Sequence, residues 1–262
     1  MRRWQDLTTT DFAGLDTERT VAVLPVAAIE QHGPHLPLSV DSDINAGVID
    51  RAVALAAEDL PALILPMQAI GSSGEHSTFA GTLSLHPGIL GAALAMIVES
   101  AAEAGVRKFL FFNSHGGNPP VLESTAMDLR ARRGLFVATA HWFTPELAEG
   151  LFPAHEIEHG IHGGAVETSA MLHLRPDLVR RDRLQDFRSF DASLAAEYRH
   201  LRVLGPVSFG WQTQDLNPSG AVGDARDSDE ERGRVLVDRA ARRLIELLED
   251  IARFPLSALK ER

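Results

Sequence analysis

The 262-residue chain contains no cysteine, which excludes disulfides and thiolate metal sites and leaves histidine nitrogen and carboxylate oxygen as the donors for any metal. Positive charge is also scarce. With 25 Lys+Arg against 36 Asp+Glu the formal net charge is −11, a balance that repels phosphate backbones and anionic membranes and argues against nucleic acid or a membrane as partner. No run approaches the roughly 18 apolar residues of a bilayer span. Met1-Arg2-Arg3-Trp4-Gln5-Asp6 leads into no signal-peptide core, so a cytoplasmic location is expected. Linker-like stretches, internal repeats and low-complexity tracts are missing too, and one domain over residues 1–262 is the expectation. What is present is 45% hydrophobic and 23% charged, the composition of a globular chain with a substantial core.

Four short apolar runs rich in Val, Ile, Leu and Phe, at residues 20–29, 62–70, 108–113 and 135–141, read as buried strands. Helical patterns alternate with them. Residues 43–59 carry Ile44, Val48, Val53 and Leu55, and Pro87 to Ala104 opens on proline and closes before Gly105. A helix is expected from about Glu167 to Leu174, ahead of Pro176, and a closing amphipathic helix from Asp229 to Ile251 with Val235, Leu236, Ala240, Leu244 and Leu247 inward. Residues 143–165 and 205–228 read as long loops. Strand–helix alternation implies an α/β fold in three layers, α/β/α, around a mostly parallel sheet.

In such sheets ligands bind beyond the carboxyl ends of the strands, and the chemically suggestive residues lie there. Glu30, Gln31 and His32 follow the first strand, Gly71-Ser72-Ser73-Gly74-Glu75-His76 the second, and Asn113-Ser114-His115-Gly116-Gly117-Asn118 the third. Glu30 and His32 are two apart, so in extended backbone both leave the same face and can reach one metal or adjacent metals. An acid-x-His triplet alone has a plain alternative as a solvated loop, but Pro34 and Pro37 stiffen the segment. Asp41 is positioned to return over the loop and bridge two ions, whereas Ser42 or Asp43 suits the N-cap of the following helix. His115 has the alternative role of a hydrogen-bonded core histidine; the adjacent Gly116-Gly117 favours close approach of a ligand instead. His162, framed by glycines, suits a proton carrier. Glu167 falls at a helix start, where the dipole alone stabilises a carboxylate. Ser72, Ser73 and Asn118 are expected substrate hydrogen-bonders; Glu75-His76 can bind metal but is expected rather as a substrate contact or a support for the ligands, and His155 and His159 as surface or lid residues.

Four ordered segments, "EQHGPHLPLSVD", "GSSGEHSTFAGTLSL", "FFNSHGGN" and "HGGAVETS", together resemble the creatininase (creatinine amidohydrolase) family over roughly residues 20–175. The resemblance implies a creatininase-like α/β layered fold, a dinuclear metal site, hydrolysis of a non-peptide or cyclic amide C–N bond, and homo-oligomers, commonly hexamers built as trimers of dimers. Carried over by position, it assigns Glu30, Asp41 and His115 to one metal, His32 and Asp41 to the other, and His162 to catalysis. One departure stands out. Creatininase itself has a metal-binding glutamate where this chain has Gly117 and an aromatic residue where it has Gly116. The second metal therefore needs another ligand, for which Glu167 is the nominee, and creatinine is disfavoured as substrate. Two divalent ions (zinc, manganese or iron) that share and activate a hydroxide, attacking a small amide, cyclic amide or formamide, are the expected machinery. The rival readings are a peptide-processing enzyme like the mycofactocin maturation peptidase, a branch of the same family, and a non-catalytic metal-binding protein.

Overall fold

The structure is a computed structural model and describes residues 1–260. Among the described residues a five-stranded sheet is built from β1 (Arg2–Arg3), β2 (Val21–Val26), β3 (Ala62–Ile64), β4 (Lys108–Asn113) and β5 (Phe136–His141), in the order β1-β3-β2-β4-β5. Every pairing in it is parallel. The helices, in chain order, are α1 (Val40–Leu55), α2 (Pro87–Ala102), α3 (Pro119–Arg133), α4 (Pro145–Ala148), α5 (Ala154–His159), α6 (Ala165–Leu174), α7 (Phe190–Glu197), α8 (Thr213–Leu216) and α9 (Glu230–Arg253). A two-stranded antiparallel pair, β6 (Asp186–Phe187) with β7 (Gly223–Asp224), stands apart from the main sheet.

Alternation along the strands divides the core in two. Val21, Val23, Leu110 and Phe112 meet α1, α6 and α9 on one face, whereas Ala22, Leu24, Val26, Phe109 and Phe111 meet α2 and α3 on the other. This is the expected α/β/α layering. Strands buried on both faces carry apolar residues at almost every position, which explains why β2 reads as a continuous run. Lys108 in β4 is buried, and its Nζ–H donates to the carbonyl of Ala252, 2.8 Å away, which gives the ammonium a hydrogen-bond acceptor. The amphipathic α9 buries Leu236, Val237, Ala240, Ala241, Leu244 and Leu248, while Val235 and Leu247, expected inward, are half-buried. It lies so close to α6 that a side chain at Gly233 would collide with the backbone of Ser169.

Several boundaries differ from the sequence expectation. The second strand is confined to Ala62–Ile64, because Pro66 removes a ladder donor; pairing returns only as a single bridge from Gln68 to Val26. Helix α1 starts at Val40 rather than 43, so neither Ser42 nor Asp43 is its cap: Ser39 occupies that position and gives its hydroxyl to Asp43 at 2.7 Å. Residues 143–165, expected as a loop, contain the short helices α4 and α5.

Register places the site. Val26 pairs with Asn113 at the carboxyl ends of β2 and β4, so the loops that follow begin side by side. Asn45 of α1 pins them from below, donating to the carbonyls of Val26 (3.2 Å) and Phe112 (3.0 Å).

Candidate active site

Glu30 and His32 leave the segment after β2, Asp41 the first turn of α1, His115 the turn after β4, and Glu167 the first turn of α6. These five, drawn from four segments, converge. His115 Nδ1 lies 3.1 Å from Glu30 Oε1 and 3.7 Å from Asp41 Oδ2; His32 Nε2 lies 3.8 Å from Asp41 Oδ1 and 4.0 Å from Glu167 Oε2. Two ligand triads result, Glu30–Asp41–His115 and His32–Asp41–Glu167, each with donor atoms within 4.8 Å of one another and Asp41 common to both.

The backbone fixes how the imidazoles face. His32 Nδ1–H donates to the carbonyl of Glu30 at 3.0 Å, leaving the Nε2 lone pair toward Asp41 and Glu167. His115 is held from behind: Nε2–H donates to the carbonyl of Ser72 at 3.0 Å, and Asn113 Oδ1 accepts the His115 backbone N–H. His162 Nε2–H donates to the carbonyl of Gln31 at 2.6 Å, which turns Nδ1 toward Glu30, 3.9 Å away. Its backbone is bridged in both directions to Val222.

Electrostatics follow from burial and crowding. Burial by itself raises the Glu30 carboxyl, yet the facing imidazoles of His115, His76 and His162 hold it well below the usual carboxylate range. Burial drives the His32 imidazole well below its ordinary value, and lowers His76 to about 3. His115 runs the other way: against burial, the Glu30 carboxylate raises it well above the ordinary histidine value. Asp41 is pushed up by burial and by the charge of Glu30, and Glu167 chiefly by burial. Glu30 Oε1 and Oε2, His32 Nε2 and Asp41 Oδ2 are buried without an aligned hydrogen bond. Leaving one such group unpaired costs about 1–3 kcal/mol, and here four point into one space. A hard or borderline divalent cation would satisfy such groups, and an oxygen- and imidazole-only donor set fits one.

Other expected residues lie differently. Ser72, Ser73 and Asn118, expected to bind substrate, are buried in the scaffold behind the cavity: Asn118 Oδ1 accepts from the Ser72 backbone N–H, and its Nδ2 donates to the Ala27 carbonyl and to Asn113. His159 pairs with Asp191 at 2.7 Å, and with His155 it lines a separate cavity beside Glu156. Gln31 and Thr213 have no role assigned from sequence, whereas Glu75 is expected, with His76, as a substrate contact or a support for the ligands. Gln31 donates to the Gly220 carbonyl and sits 2.7 Å from His76 Nδ1; Thr213 lies 2.9 Å from the same nitrogen. Glu75 reaches His115 Nε2 at 3.2 Å and, with Glu30 and His76, forms a further candidate ligand group. The acid-His pair at Glu75-His76 was the only sequence signal for it.

A buried carboxylate–imidazole cluster at the carboxyl edge of a parallel α/β/α sheet is the construction of a metal-dependent hydrolase. The chain belongs to the creatininase family, whose description is creatinine amidohydrolase and whose profile matches residues 5–248. Members are hydrolases, and so is this enzyme. The mycofactocin precursor peptide peptidase of Mycobacterium tuberculosis is 35% identical over 231 residues, 85% of this chain and 83% of the relative. Creatinine amidohydrolase of Pseudomonas putida is 34% identical over 178 residues, 63% of this chain and 68% of the relative. A crystal structure of creatinine amidohydrolase superimposes with a TM-score of 0.75 at 26% identity, covering 95% of this chain and 96% of that one. A creatininase of Zn–Zn type gives 0.74 at 26% identity, with 95% and 97% covered.

Proposed function

We propose that the protein, as one hydrolase domain, cleaves an amide C–N bond with two divalent ions, one held by Glu30, Asp41 and His115 and the other by His32, Asp41 and Glu167. The observation that carries this reading is Asp41, a buried carboxylate shared by two triads whose facing atoms lack partners. When bound, such ions supply Lewis acidity toward a carbonyl and lower the pKa of water toward about 7.

The chain's own residues do the rest. His162 has its Nε2 proton tied to Gln31, so Nδ1 is the atom free to take a proton from the attacking water and return it to the leaving nitrogen. Glu167 accepts the Gly163 N–H at 2.6 Å, which fixes its carboxylate relative to the His162 loop. The donor set fits zinc, manganese or iron, and solved relatives of Zn–Zn and of manganese type support the first two alike. Exposed Ile89, Met96 and Met127 on α2 and α3 support a homo-oligomer. No helix among the described residues is long and apolar enough to cross a membrane.

The substrate reading is a small amide or formamide. Peptide processing is the second, favoured by the peptidase relative's match to 85% of this chain. The test is metal content per chain together with release of ammonia, amine or formate from an amide panel and of fragments from apolar peptides. Two ions with turnover of at least one panel member is the expected result. Full metal loading without cleavage of any amide would leave a metal-binding protein and end the hydrolytic proposal.

A further inference from the structure

Two cavities meet at the carboxylate cluster. One, of about 380 Å³, is bounded by Ile161, His162, Phe209 and Trp211; the other, of about 320 Å³, by His141, Phe143 and Ile157. They share His115, Gly116, Ile161, Glu167 and Leu204 as common walls. The reacting centre is thus approached from both sides. Among the described residues, neither cavity is lined by a lysine or arginine, while Glu75 lines the first and Glu156 and Glu158 the second. Away from the centre the lining is mainly apolar, with Phe209, Trp211 and Leu216 beside Thr213 in the first cavity and Phe143, Pro145 and Ile157 beside Ser114 and His141 in the second. Leu204 is 55% exposed and Phe209 37%, so each has surface to lose when a ligand arrives.

Resting on the hydrolytic reading above, we infer that the substrate is an N-substituted amide with an uncharged apolar group on each side of the scissile bond. The amine part lies in the Phe209–Trp211 cavity and the acyl part in the Phe143–Ile157 cavity. The direction comes from His162. It lines the first cavity and not the second, and the leaving nitrogen must lie where His162 Nδ1 can reach it. In the reaction a water oxygen bonds to the carbonyl carbon and the C–N bond breaks with its electron pair on nitrogen. The nitrogen takes a proton, giving a carboxylic acid and an amine. Anionic substituents have no cation to meet them in either arm, and carboxylates line both.

The test uses the metal-reconstituted full-length enzyme and two matched series. One lengthens the acyl group of anilides from acetyl to hexanoyl; the other enlarges the amine of acetamides from ammonia to benzylamine. A hydrophobic pocket discriminates roughly 10-fold or more per well-filled group, so kcat/KM is expected to climb by about that factor along each series. Phe209→Ala should flatten the amine series alone and Phe143→Ala the acyl series alone, and a succinyl anilide should fall at least roughly 10-fold below its butanoyl counterpart. Binding of the non-hydrolysable sulfonamide analogues, measured by calorimetry on the same variants, supplies the second readout. Activity confined to primary or cyclic amides, or both substitutions acting on one series, would overturn the two-sided cleft while leaving amide hydrolysis standing. Paired apolar selectivity in binding with no turnover would uphold the cleft and overturn the hydrolytic reading. Neither binding nor turnover would overturn both.

Discussion

His35 offers a way to measure how the loop carrying the ligands is held to the rest of the site. It is fully buried, donates Nε2–H to the carbonyl of Gly163 at 2.9 Å beside Thr168 Oγ1, and stacks on Phe187 with ring centroids 5.0 Å apart. It therefore ties the stiff segment after β2 to the loop that presents His162. Burial lowers its pKa from 6.5 to about 4, against the pull of the Gly163 carbonyl. At about 1.4 kcal/mol per pKa unit, this drop corresponds to about 3 kcal/mol of folding free energy linked to protons.

The sign is fixed by the depressed value. The unfolded chain binds the proton first, so the stability contributed by neutral His35 is complete above pH 6.5, declines as pH falls, and is gone below about pH 4. Urea unfolding of metal-free protein at pH 7.5, 5.5 and 4, compared with His35→Gln, isolates the contribution, since glutamine keeps a donor toward Gly163 without titrating. Between pH 7.5 and 4 the variant should lose about 3 kcal/mol less than the parent. Parallel pH profiles for the two proteins would refute the argument that His35 is buried neutral at this junction.

Asp41→Asn should abolish most binding of both ions yet change metal-free stability by no more than about 1 kcal/mol, because the native carboxyl is already pushed toward its neutral form; metal analysis showing full occupancy would rule out the bridge. Glu167→Gln should weaken one ion, whereas His162→Asn should keep both and slow turnover roughly 10²- to 10⁴-fold. Metal titration and steady-state kinetics on the two variants check these roles, and the opposite pattern would exchange them. Gly117→Ala should displace His115, since a Cβ there would lie 2.5 Å from His115 Nε2 and 2.6 Å from the Ser72 carbonyl oxygen. Overpacking of this kind costs about 1–3 kcal/mol, and thermal melts with metal titration would show lower stability and weaker binding together; an unchanged variant would mean that the turn yields.

Strand and helix alternation was legible because buried parallel strands and amphipathic helices leave strong periodic patterns. Val21–Val26, Lys108–Asn113 and the apolar stripe of α9 are examples. Less legible were elements whose pattern is short or governed by contacts elsewhere. Helix α3 escapes the sequence reading, although Pro119-Pro120 opens it and Gly134, at φ 69°, closes it, because the exposed Glu123, Asp128, Arg132 and Arg133 dilute its apolar face of Leu122, Ala126 and Leu129. The chain from Arg181 to Leu216 holds its short elements by ties such as Asp191 to His159 and Trp211 to the Val203 carbonyl, which no local window reveals.

The same distinction separates what could be read of the site from what could not. Glu30, His32, Asp41, His115 and Glu167 stand at the ends of recognisable elements, so their convergence followed from topology. Glu75 does not: it lies in a 3-10 turn after a strand that is only three residues long, and its backbone carbonyl is held by Thr213, distant in sequence, which donates to it at 3.0 Å. Position by position, Gly117 is a lost ligand. In space the Glu75 carboxylate packs against Gly117 where a side chain there would project, so the glycine makes room for a carboxylate supplied by another loop. A side chain at residue 117 would collide with Glu75, His115 and the Ser72 backbone at once, and restoring a glutamate there without removing Glu75 would place two carboxylates in the space of one.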